Sequence, residues 1–469
     1  MELQSYDSQT ANNRSAGTYF TAGVPTNTVL LVTDNVTRAA EISAHLERIN
    51  FDVKGCMFDG ESLNGAPESP PTIILIALTD FIEKASTLMD RLISHYDNRS
   101  IPVIGTLSRK ADIDLSRFES VIYPPAHASQ IATRVESFVR LAGMEQEIMR
   151  RIETFSEDFN ITYELTEDAL SMPFKVLFVG KPTAEFMVVI NALQMKNVDV
   201  VAAFTTFSAF DYLHETQFNA VVMNALEDAE PPITIASTMR RNAKLYHVPT
   251  LLLIDGKTFE HQERAYEKGA RDLIDANADL EEISGRILEL ANYHRIHTQL
   301  KREFSELGGE TCLDTASGTF NSEFFDAHLR RVCQTLTPQQ SPVGLLAVKI
   351  WPNAPFAVSS EEFSMACAQV GGMIKNLVRM QDIVARIDND TYLIAFPYET
   401  KDTLKPVIER ISAIVDCAAF ATLDKSQGPF TVELVVDVTE HGNNETSETM
   451  IERALRTVRD GDLGDRQAS

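Results

Sequence analysis

One order of apolar runs and helical stripes occurs twice along the chain, and this repetition limits the fold more than any other feature. The first copy opens with the strand-like run Thr28–Thr33, and Asp34-Asn35 can cap a helix carrying Ala39, Ile42, Leu46 and Ile49 at helical spacing. Strands near Phe51–Cys56 and Thr72–Leu78 follow, then a helix around Phe81–His95, strands at Pro102–Thr106 and Ser120–Tyr123, and a helix at Ala126–Leu141. After Pro173 the pattern returns: strand Lys175–Val179, helix Ala184–Lys196, strands Val198–Ala203 and Ala220–Asn224, and helix Ile233–Leu245. Strand Thr250–Ile254, helix His261–Lys268, strand Asp272–Ile274 and helix Leu280–His294 complete the copy. Strands alternating with helices predict a doubly wound parallel sheet. The expectation is an α/β chain with two tandem flavodoxin-like (βα)5 halves, at 27–145 and 173–295. Residues 1–26, polar and without period, read as a disordered arm, and 146–172 as a charged helical linker.

A third region differs. Ile283, Ile287, Leu290, His297, Leu300, Phe304 and Leu307 carry the preceding helix on as a linker helix over 296–312, up to Gly308-Gly309. Beyond it, 313–469 predicts strand Val343–Trp351, helices Glu361–Val378 and Asp402–Val415, strands near Ala418–Leu423 and Thr431–Asp437, and a last helix Glu448–Arg459. This is an α+β domain with a mixed, largely antiparallel sheet. At its centre Ile383, Ala385 and Ile387, then Tyr392, Ile394 and Phe396, alternate as two strands. Asp388-Asn389-Asp390-Thr391 joins them with residues that tolerate positive φ, which makes a β-hairpin.

Composition narrows the function classes. The net charge of −25 argues against non-specific binding to nucleic acid or anionic membranes. A polyanionic small ligand would need a local cluster of arginines. The five cysteines are scattered and odd in number, which fits free thiols in a reducing cytosol. No apolar run is long enough for a membrane span, and no secretory signal pattern opens the chain, so a cytoplasmic location is expected. His294 and His297 share a helix, but with no third ligand in the pattern they read as surface or helix-contact histidines, and no metal is expected.

Two resemblances follow from these residues. Both (βα)5 copies resemble response-regulator receiver domains, the second carrying Lys268-Gly-Ala-Arg-Asp-Leu273 where receivers have Gly-Ala-x-Asp-Tyr. The resemblance implies an acidic Mg²⁺ pair after the first strand, a phosphoacceptor Asp ending the third, and a Thr/Ser and a Lys after the fourth and fifth. In the first copy Asp34 keeps one acidic position, Ala77 stands at the acceptor and Pro124 at the Lys; Asp80 is the nearest rival acceptor, and Thr106 lies one residue from the switch position. In the second, Gly180-Lys181, Asn224, Ile254 and Ala276 occupy these places. Neither copy is expected to be phosphorylated.

The third region resembles the GGDEF domains, whose fold carries diguanylate cyclase activity. Leu313–Phe325 keeps Asp314, Gly318, Asn321 and Phe325 of the family's opening motif, and Arg379-Met-Gln-Asp382 lies five residues before the hairpin turn, as the family's Arg-x-x-Asp does. The turn itself departs. Asp388, Asn389, Asp390, Thr391 and Tyr392 stand where the resemblance places Gly-Gly-Asp/Glu-Glu-Phe, and Lys349 and Trp351 stand at first-strand metal positions. Only Asp390 keeps a carboxylate there, so catalytic residues are expected to be absent and the chain is expected not to be an enzyme. The family's inhibitory site survives as Arg379, Asp382 and Arg410, the last within Glu409-Arg-Ile411. The resemblance implies that these bind an intercalated dimer of cyclic di-GMP, with no other cofactor.

The receiver–receiver–GGDEF order resembles PleD-like and PopA-like response regulators. This implies a cyclic di-GMP receptor and adaptor in cell-cycle control, working through protein partners such as ClpXP and its substrates or adaptors. It also implies a homodimer formed through the receivers, and recruitment to a cell pole. The alternatives are a ligand-independent dimeric scaffold, or a weak diguanylate cyclase or GTP-binding sensor.

Overall fold

The structure, a computed structural model, describes residues 28–49, 51–96, 101–108, 113–114, 117–123, 126–163, 172–260, 262–336, 341–424, 426–442 and 445–460. The expected arm at 1–26 and Pro124 lie outside them. The described chain forms three sheets and divides into two compact units. Among the described residues, the first comprises 28–142 and 172–300, and the second 143–163 and 301–460.

In the first unit, strands β1 (Thr28–Thr33), β2 (Asp52–Phe58), β3 (Leu63–Asn64), β4 (Ile73–Leu78), β5 (Val103–Leu107) and β6 (Ser120–Ile122) form a sheet ordered β3-β2-β1-β4-β5-β6. All its pairings are parallel except that of the short β3 with β2. Both faces are covered, which is why β1 and β4 are buried along nearly their whole length, as continuous apolar runs require. Helices α1 (Val36–Arg48), α2 (Ala85–His95) and the start of α3 (Ala128–Phe159) belong to this half. The side chain of Asn35 caps α1 by accepting from the backbone N–H of Arg38 at 3.1 Å.

The second sheet contains β7 (Lys175–Val179), β8 (Asp199–Ala203), β9 (Ala220–Asn224), β10 (Thr250–Ile254) and β11 (Asp272–Asp275), ordered β11-β10-β9-β7-β8 and wholly parallel. Leaving aside β3, both sheets share one topology, with the first strand between the second and the third. Helices α4 (Ala184–Met195), α5 (Thr206–Glu215), α6 (Glu230–Arg241), α7 (Gln262–Glu267) and α8 (Leu280–Glu306) connect and flank the strands. The sequence reading leaves α5 unassigned. Its capping box of Thr205 and Ser208 starts the helix, while Phe207 points to solvent and only Ala209 and Leu213 are buried, so the apolar stripe is blurred.

The second unit holds a five-stranded sheet ordered β12-β14-β15-β13-β16: β12 (Phe320–Asn321), β13 (Val343–Asn353), β14 (Ile383–Asp388), β15 (Thr391–Pro397) and β16 (Thr431–Glu440). The pairings are antiparallel except β12 with β14. Helices α9 (Ser322–Leu336), α10 (Ser360–Leu377), α11 (Lys405–Asp416) and α12 (Ser447–Asp460) accompany it. The mixed sheet agrees with expectation, but two details differ. No strand forms at 418–423; Phe420 makes an isolated bridge with Phe430. The helix expected to stop at Leu141 continues to Phe159, and its residues from Gly143 onward belong to the second unit. Phe155 on this extension is fully buried, 4.7 Å from the Phe324 ring centroid.

The two sheets of the first unit are joined through Asp272, which is fully buried at the start of β11. Its carboxylate accepts from Gln130 Nε2 (2.6 Å), Arg286 Nε (3.0 Å) and Nη2 (2.5 Å), and Arg134 Nη2 (3.4 Å). Asp272→Ala removes the carboxylate that two buried guanidinium groups share, leaving Arg134 with Glu289 and Arg286 with the more distant Glu282. It is expected to destabilise the first unit by about 3–5 kcal/mol, read from denaturant unfolding of the full chain.

Candidate functional site

Local structure explains the shape of the hairpin. β14 and β15 are joined by the two-residue turn Asn389-Asp390, with a register irregularity between Arg386 and Asp388. Asp388 accepts from the N–H of Asn389 (2.8 Å), and Arg386 Nη2 donates to the Asn389 carbonyl (2.8 Å). The turn therefore folds back on its own side chains. Behind it Tyr392 is fully buried, its hydroxyl donating to the Cys367 carbonyl (3.0 Å). Gly371 makes room for that ring, since a Cβ there would lie 2.4 Å from the Tyr392 hydroxyl oxygen.

At the metal positions of the resemblance, Lys349 pairs with Thr391 across β13 and β15. Its ammonium lies 3.3 Å from Asp390 Oδ2 and 5.2 Å from the centroid of the Trp351 ring. Thr391 Oγ1 donates to Asp390 Oδ1 (2.7 Å). The one carboxylate retained there thus faces a resident cation. Among the described residues no group of three or more His, Cys, Asp and Glu is placed to hold a metal ion.

The Arg-x-x-Asp segment forms the turn between α10 and β14. Asp382 N–H donates to the Arg379 carbonyl (3.0 Å), and Asp382 Oδ2 accepts from the Arg379 N–H (2.7 Å). Arg379 extends its side chain outward, 65% exposed, and its guanidinium donates to Glu399 Oε1 (2.5 Å). Asp382 is buried, and desolvation pushes its carboxyl up to about 7 against the opposing pull of Arg379. Arg410, exposed on α11, donates from Nη2 to the carbonyl of Leu377 (2.6 Å), the last residue of α10. Arg379, Asp382 and Arg410 are therefore gathered around one loop, 377–382. One oxygen of Asp382 is thus engaged by the turn's own backbone.

Sequence reasoning passed over the groups that hold this loop. Arg151 on α3 donates from Nη2 to the carbonyls of Met380 (2.9 Å) and Asp382 (3.2 Å). Its Nε donates to Glu147 Oε1 (2.9 Å), and Arg150 Nη1 donates to Glu147 Oε2 (2.7 Å). His328 Nε2 also meets Glu147 (2.9 Å). Burial alone would raise the Glu147 carboxyl, but His328 and Arg151 outweigh it and hold it at about 2. The i,i+3 and i,i+4 spacing of Glu147, Arg150 and Arg151 was the available signal, and it usually marks exposed pairs.

In the parallel sheets, Ala77 is buried in the core of the first half, paired with Thr33 and Thr106. Asp80 lies on the exposed loop beyond β4. The Asp34 carboxylate accepts from the N–H groups of Thr79 (2.9 Å), Asp80 (2.7 Å) and Phe81 (3.0 Å). Thr106 Oγ1 accepts from Arg38. Asn224, ending β9, donates to the Lys181 carbonyl (2.7 Å), and Gly180 adopts φ +129° with its missing Cβ only 2.8 Å from Asn224 Cβ. His294 and His297 meet a third ring, His247, at centroid distances of 5.2 and 5.5 Å. Burial lowers the His294 imidazole to about 3.

No family model matches the chain, and no curated protein matches it. Among solved structures, it is similar to the GGDEF domain of DgcB from Caulobacter crescentus in complex with c-di-GMP. That match covers 34% of this chain and 91% of the other, at 17% identity and a TM-score of 0.28. The diguanylate cyclase SiaD from Pseudomonas aeruginosa, in complex with its activator SiaC, matches over 40% of this chain and 71% of its own, at 18% identity and a TM-score of 0.29. A chain assigned as a response regulator from Chloroflexus aurantiacus matches over 26% and 99%, at 17% identity and a TM-score of 0.24. One expectation is corrected here. The inference from Lys349, Trp351, Asp388, Asn389 and Thr391 that the chain is not an enzyme does not stand: the solved structures it is similar to include the diguanylate cyclase SiaD, an enzyme.

Asp382 yields a stability prediction with a definite sign. Its carboxyl moves from the ordinary 3.8 to about 7 on folding, so between those values the unfolded chain releases a proton that the folded chain keeps. Wild-type stability relative to Asp382→Asn is therefore expected to fall as pH rises from about 4 to about 7 and to level off above, a change on the order of a few kcal/mol. Denaturant unfolding of both proteins across that range measures it.

Proposed function

We propose that this protein is a cyclic di-GMP receptor of GGDEF type that binds the dinucleotide, as an intercalated dimer, at Arg379, Asp382 and Arg410. The observation that carries the reading is the gathering of these three residues around the loop 377–382, Arg410 reaching it from α11, in a chain of net charge −25. Planar guanidinium groups give bidentate bonds to guanine O6/N7 or to phosphate, and a carboxylate accepts from guanine N1–H and the exocyclic amine. Arg379 is presented to solvent and would exchange its Glu399 partner for the ligand. Asp382, protonated over part of the neutral range, gains acceptor strength as it ionises.

The two parallel sheets are read as receiver-like modules that dimerise and dock partners without phosphoryl input. Ala77 offers no acceptor, Asn224 is occupied in bracing the Gly180–Thr183 loop, and the Asp34 carboxylate is engaged by three backbone N–H groups. On this reading the ligand-bound chain works as a PopA-like adaptor in cell-cycle control, in the cytoplasm or recruited to a cell pole, delivering substrates to a protease such as ClpXP. The described chain has no helix long and apolar enough to cross a membrane.

Titrating cyclic di-GMP into the full chain by calorimetry tests the site. Arg379→Ala is expected to weaken binding by ~1.5–3 kcal/mol, roughly 10- to 150-fold, and Arg410→Ala by less. An Arg379→Ala protein that binds as tightly as wild type defeats the reading. Acetyl phosphate is expected to leave no hydroxylamine-labile phosphate on the chain; an acyl phosphate at Asp80 in a mass spectrum would refute the reading that the first module takes no phosphoryl input.

A further inference from the structure

The stretch between the two parallel-sheet repeats supplies the inner wall of the 377–382 loop. Arg151 lies in the part of α3 that belongs to the second unit, is 4% exposed, and packs its guanidinium 4.7 Å from the Phe304 ring centroid. One of its nitrogens donates to two carbonyls of the four-residue Arg-x-x-Asp turn, those of Met380 and Asp382. Inward-facing carbonyls at such depth need a donor, and a guanidinium has the planar fork to serve two at once. Glu147 fixes that fork from behind.

The same carboxylate holds a second arm. Arg150, bound to Glu147, donates from Nη2 to the Tyr398 hydroxyl (2.6 Å). Tyr398 is kept at φ +68°, a left-handed conformation that a non-glycine residue adopts only when its surroundings enforce it. The next residue is Glu399, the partner of the Arg379 guanidinium. One arm thus fixes the backbone of the turn, and the other fixes the segment that orients its outward arginine.

We propose that Arg151, held by Glu147, is a positioning residue of the ligand site, setting the turn from inside so that Arg379 is presented outward. This rests on the cyclic di-GMP reading of the turn. The helical stretch 143–159 is then part of the binding site and not a spacer.

The test compares full-length wild type, Arg151→Met and Arg151→Lys, each checked for folding by circular dichroism, with two readouts. The first is the dissociation constant for cyclic di-GMP. It is expected to rise at least tenfold in Arg151→Met, which keeps the packing and loses the donors, and about threefold in Arg151→Lys, which keeps the charge and one donor. The second is hydrogen exchange of the Arg379 and Asp382 amides without ligand, expected to quicken at least tenfold in Arg151→Met and about threefold in Arg151→Lys. If Arg151→Met does not fold, the lysine variant carries both readouts. Folded variants with wild-type affinity and wild-type exchange overturn the proposal and leave Arg151 a packing residue. A wild-type protein that binds no cyclic di-GMP defeats the reading of the site instead, and the exchange rates still decide whether Arg151 positions the turn.

Discussion

The ionised carboxylate of Glu147, with almost no access to water, governs the shape of the second unit. Taking such a charge out of water costs several kcal/mol unless the protein replaces the lost solvation. Two arginines one turn further along the same helix and His328 from α9 supply that replacement. Each arginine spends one side of its guanidinium on Glu147 and turns the other outward, Arg150 to Tyr398 and Arg151 to the turn carbonyls. The conformation of the loop that gathers Arg379, Asp382 and Arg410 follows from where that one charge is buried.

The first unit repeats the device at Asp272. Its carboxylate is satisfied by Gln130 and Arg134 from α3 and by Arg286 from α8, so two helices and a strand end meet on one charge. Buried ion clusters of this kind are weak sources of net stability, because desolvation offsets most of the Coulombic gain. What they do is penalise wrong arrangements, since any register that leaves a guanidinium or carboxylate unpaired is costly. Bulk stability comes instead from the apolar layers on the two faces of each parallel sheet.

Charge also separates the two ends of the central hairpin. On the turn side, Lys349 lies against Asp390 and a cation is built into the protein. On the loop side, the positive groups Arg379 and Arg410 are exposed, tied by Glu399 and a backbone carbonyl. An anionic ligand approaching the chain meets accessible guanidinium groups at the second place and an internal ion pair at the first. Lys349 and Asp390 are both partly buried, whereas of the second pair the Arg379 guanidinium is open to solvent and Glu399 is partly buried.

Much of this was legible in the residues themselves. The strands Thr28–Thr33 and Thr250–Ile254 announce themselves because burial on both faces demands apolar runs, and the alternation of Tyr392, Ile394 and Phe396 marks the second strand of the hairpin. The termination of α3 was not legible. Glu147, Arg150 and Arg151 read as a solvated helix face, since i,i+3 and i,i+4 charge pairs usually sit in water, and only packing against α9 and the 380–382 turn makes them interior. Asp382 shows the same limit: its spacing is a sequence property, but how deeply its carboxylate is buried and that its own backbone engages it depend on the fold of the turn. Periodicity is local and survives in one dimension. The partner of a charge, and the dielectric around it, belong to residues as distant as Glu147 and His328, and only the tertiary fold decides them.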